Sequence, residues 1–251
     1  MKTKAFTLAE TLIVIGIIGV VAALTLPNLN HATGDKETVT RVNKIYSALS
    51  DANDRAVATY GPLSGWSEEC KENFYNCWLG RIGEFMKVSK SCITEYNEEN
   101  ESSVGCEQYT DVYGVGSAFL QLADGAVIAV PRDNDTDLGS IPTCEGNDGT
   151  HSDICLLAVM VDIDGPQRGK NSPSDPNGKD MFGFTVSDGI GVMPFTYFIP
   201  ATGLCFEGTR FACTSWVIEH GNLDYLKAGS DGKCIDNESI VLDGVTNTSC
   251  H

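Results

Sequence analysis

Lys4-Ala5-Phe6-Thr7-Leu8-Ala9-Glu10, with the apolar run that follows it to Pro27, organises the reading of this chain. Residues 6–26 make up 21 positions, and Glu10 is the only charged one among them. As a helix rising ~1.5 Å per residue they would extend roughly 31 Å, the depth of one hydrocarbon core. Lys2 and Lys4 precede the run and would hold its start in the cytoplasm. The expectation is a transmembrane helix over 6–27. A carboxylate at the centre of such a span costs roughly 2.5–3.5 kcal/mol, and less near an end, which makes Glu10 a functional candidate.

Ala5-Phe6-Thr7-Leu8-Ala9-Glu10-Thr11-Leu12 resembles the cleavage and methylation motif of type IV prepilins and of type II secretion pseudopilins. The resemblance covers about the first 30 residues. It implies cleavage between Ala5 and Phe6 by a prepilin peptidase, N-methylation of the new Phe6 amine, and an assembly role for Glu10. Ala5 departs from the Gly usual before the cut. The implied protein is a structural subunit that joins other pilin or pseudopilin subunits in a helical filament, served by inner-membrane assembly machinery. Its implied location is the bacterial cytoplasmic membrane, single-pass with the globular domain outside the cytoplasm, and then the pilus, pseudopilus or cell surface. The physics of Glu10 agrees, because pairing with an amine offsets the high cost of an isolated charge in an apolar setting.

Ala9, Gly16 and Ala23 recur every seven residues with Gly19 beside them, a stripe of small side chains of the kind that lets helices approach closely. Pro27 lacks an N–H and clashes with the preceding turn, so the span is expected to kink or end there.

The 251 residues carry 17 Lys plus Arg against 34 Asp plus Glu, a net charge of −17. That balance repels phosphate backbones, and no run of basic residues offsets it, so nucleic acid is not an expected partner. The ten cysteines (Cys70, Cys77, Cys92, Cys106, Cys144, Cys155, Cys205, Cys213, Cys234, Cys250) all lie beyond the apolar run. An even count in an exported domain indicates disulfides, although about 945 complete pairings are possible. Neighbour pairing is the working expectation: 70–77, 92–106, 144–155, 205–213 and 234–250.

From 35 to 60 the pattern is helical: Val39, Val42, Tyr46, Leu49 and Ala56 follow a 3.6 period, with Ile45 and Ala52 widening the stripe. Gly61-Pro62 ends it. Residues 63–106 hold four cysteines and a helix expected over 74–88. Segments 116–122 and 126–130 flank Asp124-Gly125, a hairpin signal. The apolar run 154–161 reads as a buried central strand. Two further strands, 181–186 and 191–199, surround Asp188-Gly189, and Pro194 demotes part of the second to an edge.

These elements define an α+β class: a long N-terminal membrane-spanning helix continued by an amphipathic one and packed on an antiparallel sheet with a disulfide-rich periphery. The expected divisions are a leader over 1–5, the transmembrane and assembly helix over 6–27, the amphipathic half of the spine over 28–62, and a Cys-rich domain over 63–251. Asp162, Asp164, Asn177 and Asp180 could converge as oxygen ligands for calcium, whereas Asp-Gly and Pro-Asn-Gly also form turns without any metal. The chain lacks Gly-x-Ser-x-Gly, His-Glu-x-x-His and P-loop patterns, so no enzymatic activity is expected. The competing reading is a conventionally secreted Cys-rich binding or enzymatic domain behind an ordinary signal peptide, cut after Val21-Ala22-Ala23.

Overall fold

The computed structural model describes residues 8–70, 74–93, 118–130, 156–166, 179–195, 205 and 213–250, without the side chains at 22–33, 67–69, 74, 75 and 156. The chain divides into two compact units, Met1–Glu37 and Thr38–His251. Helix α1 (Leu8–Tyr60) is a single 53-residue element that runs through Pro27 without ending there.

In the first unit the large aliphatic side chains of residues 8–21 are all exposed, from 52% at Val14 to 79% at Leu8. The structure overturns the expected transmembrane helix over 6–27 and the single-pass placement in the cytoplasmic membrane that followed from it. Among the described residues no helix is long and apolar enough to cross a membrane. The described apolar stretch is the fourteen residues 8–21, about 21 Å of helix against a core of about 30 Å. From Asn28 onward α1 carries polar and charged side chains, including Asp35, Lys36 and Glu37.

In the second unit α1 does what its periodicity predicts. Val42, Ile45, Leu49, Ala52 and Ala56 are each 3% exposed or less, with Val39, Tyr46 and Val57 packed at their edges. The charged positions between them face outward. Tyr46 stacks on Phe184 with ring centres 5.7 Å apart. Asn53, buried on the same helix, accepts the indole N–H of Trp78 at 3.3 Å. The helix stops at Gly61, whose φ of 87° is costly for any residue with a Cβ and whose N–H bonds to the carbonyl of Val57.

Helix α2 (Leu63–Glu69) and helix α3 (Phe74–Gly83) follow, joined by the Cys70–Cys77 disulfide. The helix expected to reach residue 88 ends at Gly83. Val88–Cys92 is instead strand β1, pairing with β2 through an irregular register between Val88 and Lys90. The remaining strands are β2 (Ala118–Leu122), β3 (Val127–Val130), β4 (Leu156–Asp162), β5 (Met181–Ser187) and β6 (Gly191–Pro194). They form one antiparallel sheet in the order β1-β2-β3-β4-β5-β6. The α+β class with an antiparallel sheet therefore holds, and β4 sits centrally between β3 and β5 as its apolar run suggests.

The sheet's period of two separates two cores. Leu120, Ile128, Val159, Val161, Phe182, Phe184 and Val186 join the stripe of α1 in the main cluster. Phe119, Val127, Ala129, Met160 and Met181 alternate with them and bury the other face together with Cys92. Burial of both faces explains why β3 is a continuous apolar run rather than an alternating one. Turns close the ladder where the sequence supplies Asp-Gly: Gly125 and Gly189 have φ of 95° and 76°. Gly165 adds a steric demand, since a Cβ there would lie 2.7 Å from the Gly125 carbonyl oxygen.

The C-terminal part is tied down by polar bonds. Helix α4 (Thr214–His220) presents Thr214 Oγ1 to the N–H of Gly183, extending the pairing of β5. Asp224, 4% exposed, accepts hydrogen bonds from Lys227 Nζ at 2.6 Å, Ser249 Oγ at 2.6 Å and the Cys250 N–H at 2.9 Å. The disulfide Cys234–Cys250 closes the same region, and Cys205–Cys213 precedes α4. Three expected neighbour pairs are thus present. Cys92 is also disulfide-bonded, while Cys106, Cys144 and Cys155 lie outside the described residues.

Leu49 is fully buried between α1 and the sheet, so Leu49→Ala should lower unfolding free energy by ~2–5 kcal/mol in denaturant titrations. A second test concerns acid. Burial pushes the Asp224 carboxyl up, but its bonds to Lys227, Ser249 and Cys250 outweigh burial and leave it below the usual 3.8. A depressed folded pKa means the stabilisation is complete above the unfolded value and is lost as pH falls through the folded one. Stability should therefore decline as pH drops below about 4, and Asp224→Asn should flatten that part of the decline.

Candidate assembly surface and ligand residues

Residues 8–21 of α1 are the strongest candidate surface in the first unit. Nine large aliphatic side chains lie here: Leu8, Leu12, Ile13, Val14, Ile15, Ile17, Ile18, Val20 and Val21. They occupy every azimuth of the helix because the sequence has almost no polar break. Full burial of each such side chain is favourable by roughly 1.5–3 kcal/mol. An uncovered surface of this kind marks an interaction site. A Cβ added at Gly16 or Gly19 would meet nothing within 4 Å, so the predicted small positions are open to a neighbour.

Glu10 is exposed in the first described turn of α1. Beside it Thr11 Oγ1 donates back to the Leu8 carbonyl at 2.8 Å. Ala5 and Phe6 lie outside the described residues, and so does any contact of the Phe6 amine with Glu10.

The predicted oxygen ligands fall at the end of β4 and the start of β5. Asp162 is 1% exposed, and its Oδ1 accepts the N–H groups of Asp164 at 3.1 Å and Gly165 at 2.8 Å. That is Asx-turn chemistry, the role Asp-x-Asp-Gly plays without a metal. The Asp180 carbonyl accepts the Ile163 N–H at 2.9 Å, closing the two strands, and Arg41 of α1 donates to the Ile163 carbonyl at 3.3 Å. Asn177 lies outside the described residues. Among the described residues no group of three or more His, Cys, Asp or Glu side chains is placed to hold a metal ion.

Three arrangements have no clear signature in the sequence. The Asp188 carboxylate, in the β5–β6 turn, accepts the Leu63 and Ser64 N–H groups at 3.1 and 3.3 Å and so caps α2, whose own N-cap Pro62 offers no side-chain acceptor. The Arg81 guanidinium lies 4.5 Å from the Tyr60 ring centre and 4.6 Å from that of Trp66, linking α3 to the end of α1. Lys44 of α1 pairs with Asp124 in the β2–β3 turn at 2.7 Å. Partial burial opposes ionisation of Asp124, but the bond to Lys44, its positive charge and the Ala126 N–H together outweigh burial and keep the carboxyl below the usual value. Each arrangement joins residues 15 or more positions apart, beyond the reach of local pattern.

No protein-family model matches this chain, and no curated protein or solved structure matches it.

The Asx-turn geometry generates a test. Asp162→Ala leaves two N–H groups of a buried turn without their acceptor and should cost ~1–3 kcal/mol of stability. The loss should be the same in excess chelator and in millimolar calcium, measured by thermal or denaturant unfolding. A loss seen only with calcium present would assign the carboxylate to a metal instead.

Proposed function

We propose that this protein is a structural subunit of a helical filament of the type IV pilus or pseudopilus kind, matured by a prepilin peptidase and assembled through the first part of α1. The observation that supports it most is the set of nine aliphatic side chains between Leu8 and Val21, each more than half exposed. In a filament, the same segments of neighbouring copies cover one another. The motif Ala5-Phe6-Thr7-Leu8-Ala9-Glu10 agrees with this reading. Glu10 then provides the one carboxylate in an otherwise apolar contact, the partner for the Phe6 amine of an adjacent copy, which sets the register of stacking. The acidic, disulfide-bonded second unit is suited to an extracytoplasmic setting.

A second reading is favoured by one finding: among the described residues no helix is long and apolar enough to cross a membrane. In that reading the chain is a secreted Cys-rich domain, and cleavage before Leu24 removes all nine exposed aliphatic side chains with the signal peptide.

N-terminal sequencing of the mature protein separates the two, with Phe6 expected for the filament subunit and Leu24 for the secreted domain. Glu10→Gln retains shape but not charge. It should leave folding and disulfide formation unchanged while reducing incorporation into sheared filaments or cross-linked oligomers at least several-fold. Wild-type incorporation of Glu10→Gln would refute the electrostatic register.

A further inference from the structure

The second unit contains a groove of about 340 Å³ that the filament reading leaves unused. It lies between α1, the connection from α3 to β1, and the β2–β3 turn. Its floor is apolar, built from Ile45, Ala48, Phe85 and Leu122. The size is at the lower end of the range of small-molecule sites, roughly 300–1,000 Å³.

The charged groups around it are Lys44, Lys87, Asp51 and Asp124. Both carboxylates are already engaged: Asp124 with Lys44 at 2.7 Å, and Asp51 with Arg55 at 3.0 Å. Lys87 is exposed, and among the described residues its ammonium makes no ion pair or side-chain hydrogen bond. Its backbone is held, since the Lys87 carbonyl accepts the Ala123 N–H at 2.8 Å. The rim therefore presents one uncompensated positive charge from a fixed point of the backbone, on a chain whose net charge is −17.

We propose that this groove binds a small monocarboxylate with a short aliphatic body, the hydrocarbon on Ile45, Ala48, Phe85 and Leu122 and the carboxylate on Lys87. An ammonium beside an apolar floor selects this class on two counts. A neutral analogue of the same length loses the charge-assisted bond. A cationic analogue meets Lys87 as a like charge. The pairing of Lys44 with Asp124 keeps a second ammonium at the rim without adding an unpaired carboxylate.

The test uses hexanoate, hexanamide and hexylammonium as probes. Each is titrated into the full chain, kept in solution at one fixed concentration of a neutral long-chain maltoside. Backbone amide resonances of Ala48, Lys87 and Ala123 report occupancy. Hexanoate should give saturable shifts confined to these positions and bind about tenfold more tightly than hexanamide, and hexylammonium should bind more weakly than either. Lys87→Gln should reduce hexanoate to the affinity of hexanamide. Ala48→Trp, at an exposed position of α1 and filling the floor, should abolish binding of both. Shifts that do not saturate, shifts spread over the chain, or equal affinities for hexanoate and hexanamide would overturn the assignment. Filament incorporation is expected to be normal in both variants, so failure here leaves the assembly reading to its own test.

Discussion

The second unit depends on the contact between the aliphatic stripe of α1 and one face of the sheet. Val42, Ile45, Leu49, Ala52 and Ala56 stand on one side of a helix, and Phe182, Phe184 and Val186 with their neighbours on β2, β3 and β4 stand on one side of a pleat. Neither surface is stable in water alone, and their periods of 3.6 and 2 allow each to present an unbroken apolar face to the other. Small residues at Ala52 and Ala56 bring the helix close, and Tyr46 on Phe184 sets its position along β5. The α2–α3 segment then fills the end of this core with Trp66, Trp78, Leu79 and Ile82.

Around that core the acidic side chains have structural uses. Asp162, Asp188 and Asp224 each accept backbone N–H groups that would otherwise lack partners at a turn, at a helix start and near the C-terminus. A carboxylate accepts but does not donate, which suits it to collecting several N–H groups. In a chain this acidic, a cluster of Asp residues is therefore weak grounds for a cation site, as the Asx turn at Asp162 illustrates. Lys44 and Arg81 are placed where they bind elements together, and Lys87 stands apart from them at the rim of the groove.

Much of the fold was legible because its signals are local. The helix over 35–60, its stop at Gly61-Pro62, the two Asp-Gly turns and the central apolar strand all follow from periods and from residues that tolerate positive φ. Strand β1 was not legible, since Val88-Ser89-Lys90-Ser91-Cys92 has a single strong strand former and owes its conformation to pairing with β2. Helix α2 was missed for a related reason: its cap comes from Asp188, more than 120 residues away. The membrane span was read from hydropathy over 6–26, and the structure corrected it because the described apolar part of α1 is too short to cross.

The sequence by itself determined the α+β class and the amphipathic face of α1, because periodicity and turn chemistry act within a few residues of one another; neighbour pairing of the cysteines was an expectation that the structure bears out at three pairs. The sequence also marked the apolar run over 6–27 with Glu10 inside it, which was read as a membrane span. Only the tertiary structure decided which carboxylates cap which N–H groups, that both faces of the sheet are buried, and that Lys87 stands beside an apolar groove. Those depend on contacts between segments far apart in the chain, and the free energy of a contact between distant residues is written in no single stretch of either.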